Sequence, residues 1–379
     1  MNSHTYGDGT RVIRSSSTLA VPGRPLHNGP VFAAPFHLAD AEPGVNGADV
    51  YARYDNPTLR EFETSVGELD GGRALAFASG MAALSAVFYG CLSAGQRLLI
   101  PSDGYFTARL LADAHLRRFE IEVAVVATAE VERRVRAGDF PGANLILVET
   151  PSNPVLDVCD IAAIAEITHA QGGLLAVDNT TATPLGQRPL ALGADLVVAS
   201  DTKALAGHSD LLLGHVTVGD DELFASMKSW RDQTGAIPGP FETWLAHRSM
   251  GTLDMRLARQ SENAAALAEL LAANPQVTDV RWPWRAGDPS YEIARRQMLR
   301  PMGVVSASLA SADAVRRLLA ASKLLTAATS FGGLHTTVDR RAQFGDSVAE
   351  GFIRISCGCE DTVDLVHDLT CALQAIADD

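Results

Sequence analysis

The stretch Leu174–Lys203, LLAVDNTTATPLGQRPLALGADLVVASDTK, holds two short apolar runs, and each closes on residues with chemistry to offer. Asp178 ends the first; Ser200, Thr202 and Lys203 follow the second. A strand with one face in water alternates apolar and polar residues, whereas a run that is apolar throughout is covered on both faces, as in a parallel sheet. The same signature recurs outward in both directions: ALAFA (74–78), RLLIP (97–101), IEVAVVA (121–127) and ANLILVET (143–150) before it, and GHVTVG (214–219) after it. Helical segments such as MAALSAVFYGCL, TARLLADAHLRRF and IAAIAEITHAQG separate most of these runs. The pattern predicts an α/β fold over residues 50–235, a mostly parallel seven-stranded sheet with helices on both faces, with its functional residues at the carboxyl ends of the strands.

The flanks read differently. Residues 1–49, rich in Gly, Pro and Asn (VPGRPLHNGPVFAAP), keep neither period and are expected to form an extended N-terminal arm. A helix is expected to start at Asn56-Pro57-Thr58, with Thr58 and Glu61 as a capping box, Leu59, Phe62, Val66 and Leu69 on one face, and Gly71-Gly72 as its stop. Over 236–379 a long helix at Leu253–Ala273 precedes strands at GVVSASLA, TAATSFG and GFIRISCG and helices at ADAVRRLLAAS and DTVDLVHDLTCALQAIA, which predicts a smaller α+β C-terminal domain.

The chain has 379 residues, 47% of them hydrophobic, enough for a substantial core. Its net charge of −14, without a basic cluster, argues against nucleic acid as a partner. No apolar run approaches the roughly 20 residues of a membrane span, and MNSHTYGDGTRVIRSSS lacks the apolar segment of a signal peptide, so a cytoplasmic protein is expected. Five cysteines do not suggest a disulfide framework. Cys357-Gly-Cys359 has no second Cys or His pair beside it, and no metal is assigned.

Lysine is scarce: among 31 basic residues only Lys203, Lys228 and Lys323 are not arginine. An amine can form an imine with a carbonyl, which a delocalised guanidinium cannot. Lys228 and Lys323 suit a solvated surface, whereas Lys203 follows a buried strand. Asp178, also at a strand end, would need a cation to be buried, and a protonated pyridine nitrogen is such a cation. The Asp/Lys pair is what pyridoxal phosphate demands, although either residue alone reads equally as a cap or a surface group. Ser79-Gly80-Met81 turns from a strand into a helix and aims backbone N–H groups at an anion such as a phosphate. Tyr105 follows another strand, where its ring can stack on a flat cofactor or simply pack. Asn153 follows a further one, as a turn residue or a hydrogen-bonding partner. All five features fall at one end of the predicted sheet.

With these residues in place the chain resembles the cystathionine gamma-synthase/gamma-lyase family of pyridoxal-phosphate enzymes, the Cys/Met metabolism group of fold type I. The blocks YARYDNPT, ASGMAA, ETPSNP, VDNTTATP, SDTKALAGHSD, TSFGG and FIRISCGCED carry the resemblance in order. It implies that pyridoxal 5'-phosphate is bound covalently to Lys203, which then moves protons. Asp178 would pair with the pyridine nitrogen, Tyr105 stack on the ring and Asn153 bond the ring hydroxyl. Gly80, Met81, Ser200 and Thr202 would hold the phosphate, and Tyr51 and Arg53 would reach the phosphate of a neighbouring subunit, in a homodimer with shared sites that pairs into a homotetramer. Arg354 would clamp the carboxylate of an amino-acid substrate, with Ser330 beside it. Arg354 also reads as a structural ion pair, and Tyr51 and Arg53 as anchors of the arm. Thr181, Phe106 and His335 depart from the family's usual residues. The resemblance implies a carbon–sulfur lyase of the cystathionine gamma-lyase type, with Lys203 and Tyr105 catalytic and His335 near the distal end of the substrate. Its alternatives are gamma-replacement on an O-acyl-homoserine, a methionine gamma-lyase and a non-catalytic binding protein.

Overall fold

The computed structural model describes residues 6–17, 21–38 and 49–377. The seven apolar runs form strands β1 (Arg73–Phe77), β2 (Arg97–Pro101), β3 (Glu122–Val126), β4 (Leu145–Glu149), β5 (Leu174–Asp178), β6 (Leu196–Ala199) and β7 (Gly214–Val218). They lie in the order β1-β7-β6-β5-β4-β2-β3, parallel from β6 across to β3. Only β7 is reversed, antiparallel to both β1 and β6. The segment between β6 and β7 carries no crossover helix, and a strand reached without one returns antiparallel.

Helices α1 (Asp8–Ser15), α2 (Pro57–Asp70), α3 (Gly80–Cys91), α4 (Phe106–Ala114), α5 (Val131–Arg136), α6 (Ile161–Ala170), α7 (Thr183–Gly186), α8 (Asp221–Thr234), α9 (Pro240–Met250) and α10 (Leu253–Ala273) surround this sheet. Successive strand side chains face opposite ways. Leu75, Phe77, Leu98, Ile100, Leu145 and Leu147 pack with Leu84, Val87 and Phe88 of α3 and Met227 of α8. Leu99, Ile146, Val148, Leu175 and Val177 pack with Val131 of α5 and Ile161 and Ile164 of α6. Fully burying an aliphatic or aromatic side chain of this kind contributes about 1.5–3 kcal/mol, so both layers hold the strand ends rigid.

Two local expectations are corrected. Within the predicted arm, Asp8–Ser15 is helical rather than extended, because Val12 is fully buried among Phe62, Val66 and Leu69 of α2. The rest of the arm lies partly outside the described residues. At the start of α2 the cap is Asn56, whose Oδ1 accepts from Thr58 N at 2.9 Å, and no Thr58–Glu61 box forms. Thr58 Oγ1 is taken instead by Val31 N at 2.9 Å, so a tertiary contact displaces the local one. Gly71 closes the helix at φ 86°, as its stop signal suggests.

A second sheet comprises β8 (Thr278–Arg281), β9 (Val304–Ser308), β10 (Thr326–Ala327), β11 (Thr337–Arg340) and β12 (Phe352–Ser356), in the order β10-β11-β12-β9-β8. Helices α11 (Tyr291–Gln297), α12 (Ala312–Ala321) and α13 (Thr362–Ala377) accompany it, and its core joins Leu267 and Leu271 of α10 to Leu318 of α12 and Leu365 and Leu369 of α13. Strands β8 (TDVR) and β11 (TVDR) escape a sequence reading because neither has an apolar run to see. TAATSFG pairs only at Thr326–Ala327, and Ser330 then takes φ 75°. The first turns of α10, with α9, pack on α2, while its later turns pack on the second sheet, so this one helix binds the two sheets together. Among the described residues no helix is long and apolar enough to cross a membrane.

Replacing the cap, Asn56→Ala, is expected to cost about 1–2 kcal/mol, read as a lowered urea midpoint with an unchanged slope.

Candidate active site

A cavity of about 170 Å³ opens at the carboxyl ends of the first sheet. Of the residues expected in the site, Gly80, Met81, Tyr105, Asn153, Asp178, Ser200, Thr202 and Lys203 all line it, together with Glu149, Thr180 and Phe331. They come from the ends of β1, β2, β4, β5 and β6; parallel pairing places the last four side by side, and β1 runs in the same direction beyond the reversed β7.

The floor is made by close backbone approach. Ser79 caps α3, its Oγ accepting from Ala82 N at 3.1 Å, which leaves the N–H groups of Gly80 and Met81 without an intrahelical acceptor. A Cβ on Gly80 would stand 2.7 Å from Ser200 Cβ, so only glycine lets this helix start press against the Ser200 turn. Two free amides, two hydroxyls and the positive end of a 12-residue helix form a cradle for a phosphate. The turn is tied in place: Ser200 N donates to Thr180 Oγ1 at 2.8 Å, and Leu213 N to Thr202 Oγ1 at 3.0 Å.

Lys203 Nζ donates to Ser330 Oγ at 2.9 Å and stands 5.5 Å from the centroid of the Phe331 ring. Burial, with the nearby Arg354 charge, pulls its pKa down to about 8 against the opposing pull of Asp178. The amine is therefore available as a nucleophile and base close to neutrality. Asp178 accepts from Thr180 N at 2.9 Å, and burial raises its pKa while Thr180, His215 and Lys203 oppose the rise.

Glu149, which the sequence reading did not single out, is the register partner of Asp178. Burial raises its pKa well above the carboxylate range, and the Asp178 charge raises it further. Of the pair, Asp178 has Thr180, His215 and Lys203 opposing its rise, whereas Glu149 is pushed well above its ordinary value, so the pair favours the proton on Glu149. Glu149 Oε2 accepts from Tyr105 N at 2.7 Å, which holds the Tyr105 turn. A Cβ on Gly104 would come 2.9 Å from that oxygen, so the turn needs glycine. The clue in the sequence is an acid closing the otherwise apolar run LILVE. Tyr105 is 42% exposed at the cavity mouth, with Phe106 edge-on at 5.4 Å between ring centroids.

Arg354 lies in β12, 3% exposed. Its Nη1 donates to Asn153 Oδ1, and its Nη2 to Ser330 O at 2.8 Å and Asp339 Oδ2 at 3.2 Å. Its Nε is buried with no hydrogen-bond partner among the described residues. Arg354 is not itself among the residues lining the cavity, but it holds Asn153, which is. His335, Tyr51 and Arg53, expected in the site, are not brought together with these, and neither is Thr181. His335 is exposed and outside the cavity lining. Arg53 packs over the Tyr54 ring and donates to Asp232 O, and Tyr51 is 42% exposed. Thr181 is buried with its Oγ1 unpartnered and lies outside the lining.

These features fit pyridoxal phosphate on the chain's own geometry: an anion cradle that a Cβ would fill, an amine near its point of neutrality and a buried carboxylate where a cationic ring nitrogen would compensate it. Comparison with known proteins agrees. Residues 25–374 match the family model of Cys/Met metabolism PLP-dependent enzymes. The chain is 49% identical over 374 residues, 97% of its length and 93% of the relative's, to a protein of Streptomyces coelicolor with the provisional name cystathionine gamma-lyase. It is 36% identical over 377 residues, 97% of each chain, to the cystathionine gamma-synthase of Mycobacterium tuberculosis. Its fold matches the crystal structure of cystathionine gamma synthase from Xanthomonas oryzae pv. oryzae in complex with aminoacrylate and cysteine, with TM-score 0.92 and 29% identity, covering 99% of this chain and 100% of that one.

The lowered lysine pKa makes a direct prediction. Borohydride trapping of the apoprotein with pyridoxal phosphate should label Lys203 at a rate that rises with pH to a midpoint near about 8. A midpoint above about 10, the value of a free lysine, would contradict the environment described, and Lys203→Arg should give no reducible adduct.

Proposed function

This chain belongs to the family of Cys/Met metabolism PLP-dependent enzymes, and from that premise we propose that it is a gamma-elimination enzyme that converts L-cystathionine and water to cysteine, 2-oxobutanoate and ammonia. The observation that carries this choice is the greater identity to the Streptomyces coelicolor relative than to the Mycobacterium tuberculosis gamma-synthase. Gamma-replacement on an O-acyl-homoserine, with a thiol added in place of the leaving group, is the second reading, supported by the gamma-synthase relative and structure.

Bound pyridoxal phosphate supplies an electron sink that acidifies the alpha and then the beta carbon of an amino acid. The protein's part is to bind, orient and move protons. Arg354 receives the substrate α-carboxylate, and Asp339 offsets the guanidinium charge. That contact sets the α-carbon beside Lys203, whose neutral Nζ removes the α-proton and carries it onward; Ser330 Oγ, 2.9 Å away, accepts an N–H and steers the amine. Ionised Asp178 stabilises positive charge at the ring nitrogen. Tyr105, at the cavity mouth, serves the leaving sulfur as acid or the incoming substrate as proton acceptor. Gly80, Met81, Ser200 and Thr202 hold the phosphate. Tyr51 and Arg53, which do not line their own chain's cavity, serve the cavity of a second copy in a homodimer; the exposure of Tyr51 supports this reading.

Purified protein given L-cystathionine should release 2-oxobutanoate, and given O-acyl-homoserine with cysteine should form little cystathionine; the reverse pattern selects replacement. Arg354→Lys, which loses the planar fork, should raise KM about tenfold or more while leaving the cofactor absorbance in place.

A further inference from the structure

Behind the Lys203 turn lies a buried charged cluster whose only part in the chemistry above is the pull of His215 on Asp178. His215 of β7 is fully enclosed, as are Asp201 and, within 1%, Asp70. His215 Nδ1 is 2.7 Å from Asp201 Oδ1 and its Nε2 is 3.0 Å from Asp70 Oδ2, and Thr217 Oγ1 donates to the same Asp70 oxygen at 2.7 Å. With a carboxylate oxygen on each side, the imidazole needs a proton on both nitrogens. Burial pulls the His215 pKa down, but Asp201 and Asp70 outweigh it and hold the group up at about 10.

Stability alone does not account for such a cluster. Burying ions costs about as much as their attraction returns. Asp70 closes α2, where the helix dipole disfavours an acid. Asp70 Oδ1 and Asp201 Oδ2 find no hydrogen-bond partner among the described residues. What the cluster does is join three pieces of backbone. His215 is the register partner of Ala199, the last residue of β6; Asp201 stands between Ser200 and Thr202; Asp70 ends the helix beneath. The backbone of Asp201 also accepts from Ala206 N at 2.9 Å, so its side chain and carbonyl fix both ends of the turn that presents Lys203. The other charged groups around it are accounted for: Glu63 of α2 is occupied by Arg231 of α8 and Ala76 N, and Asp178 of β5 and Lys203 face the cavity.

We propose that Asp70, His215 and Asp201 are positioning residues for the cofactor, a buried charged tie that fixes the Ser200–Lys203 turn against β7 and α2 and so sets how tightly pyridoxal phosphate is held. The proposal rests on the cofactor and not on the choice of substrate, so a failed cystathionine assay leaves it standing.

The test titrates apoprotein with pyridoxal phosphate at neutral pH, following the absorbance of the bound cofactor, and records the melting temperature of the apoprotein alongside. Asp201→Ala removes a charge-assisted bond and should raise the Kd about tenfold or more. Asp201→Asn should keep the Kd within about threefold, because its amide donates to Nδ1 while Nε2–H still serves Asp70. If the alanine variant does not fold, Asp201→Ser, whose shorter side chain cannot span to Nδ1, is read by the same criterion. A folded alanine or serine variant that binds the cofactor as tightly as the parent, with only a lower melting temperature, overturns the proposal. So does an asparagine variant as weak as alanine, and so does failure of both alanine and serine variants to fold, which would make the cluster a requirement of folding alone.

Discussion

The site depends on lowering the proton affinity of one amine in a place full of charge. Burial does most to lower the pKa of Lys203, to about 8; the Arg354 guanidinium adds to that push, and Asp178 opposes it. A lysine in water would be almost wholly protonated at neutral pH. Removing the shell of water requires both a packed sheet beneath and a second sheet beyond, since Ser330, Phe331 and Arg354 all reach Lys203 from the latter. The two sheets are therefore not independent modules as far as the chemistry is concerned. The long α10, packed on both, is the mechanical consequence.

The parallel sheet solves the remaining problem of bringing many loops to one edge. Five strands of one direction end there, and each contributes a residue within a turn of its last hydrogen bond. Glycine permits the close approaches of the site, among them Gly80 against Ser200 and Gly104 against Glu149. Elsewhere the strand ends are set by the apolar layers on both faces, so positional precision comes from packing rather than from the loops.

Much of this was legible in the residues. Seven buried runs predict seven strands because full burial leaves no alternation to blur the signal, and Lys203, Asp178, Gly80, Tyr105 and Asn153 follow from strand ends. The second sheet was harder, since β8 and β11 are short and polar and are held by pairing rather than by composition. Long-range partners were invisible for the same reason. Nothing local says that Thr58 serves Val31 rather than its own helix, or that His335 lies outside the cavity lining. Glu149 was missed because an acid at a strand end reads as a boundary, and only register places it beside Asp178.

That register has a chemical consequence. Two carboxyl groups on adjacent parallel strands cannot both ionise in a buried site, so one must hold a proton. The environment decides which. Asp178 receives Thr180 N–H, and Lys203 and His215 oppose the rise in its pKa, which favours the charge there over Glu149. Glu149 is left neutral and can accept from Tyr105 N without adding a second negative charge beside Asp178. The same division ties the tyrosine at the mouth to the acid at the floor: ionising Glu149 would place a second negative charge beside Asp178 and raise the proton affinity of both. A neutral Glu149 thus lets the site carry one anion for the cofactor and still hold the Tyr105 turn by a charge-free contact.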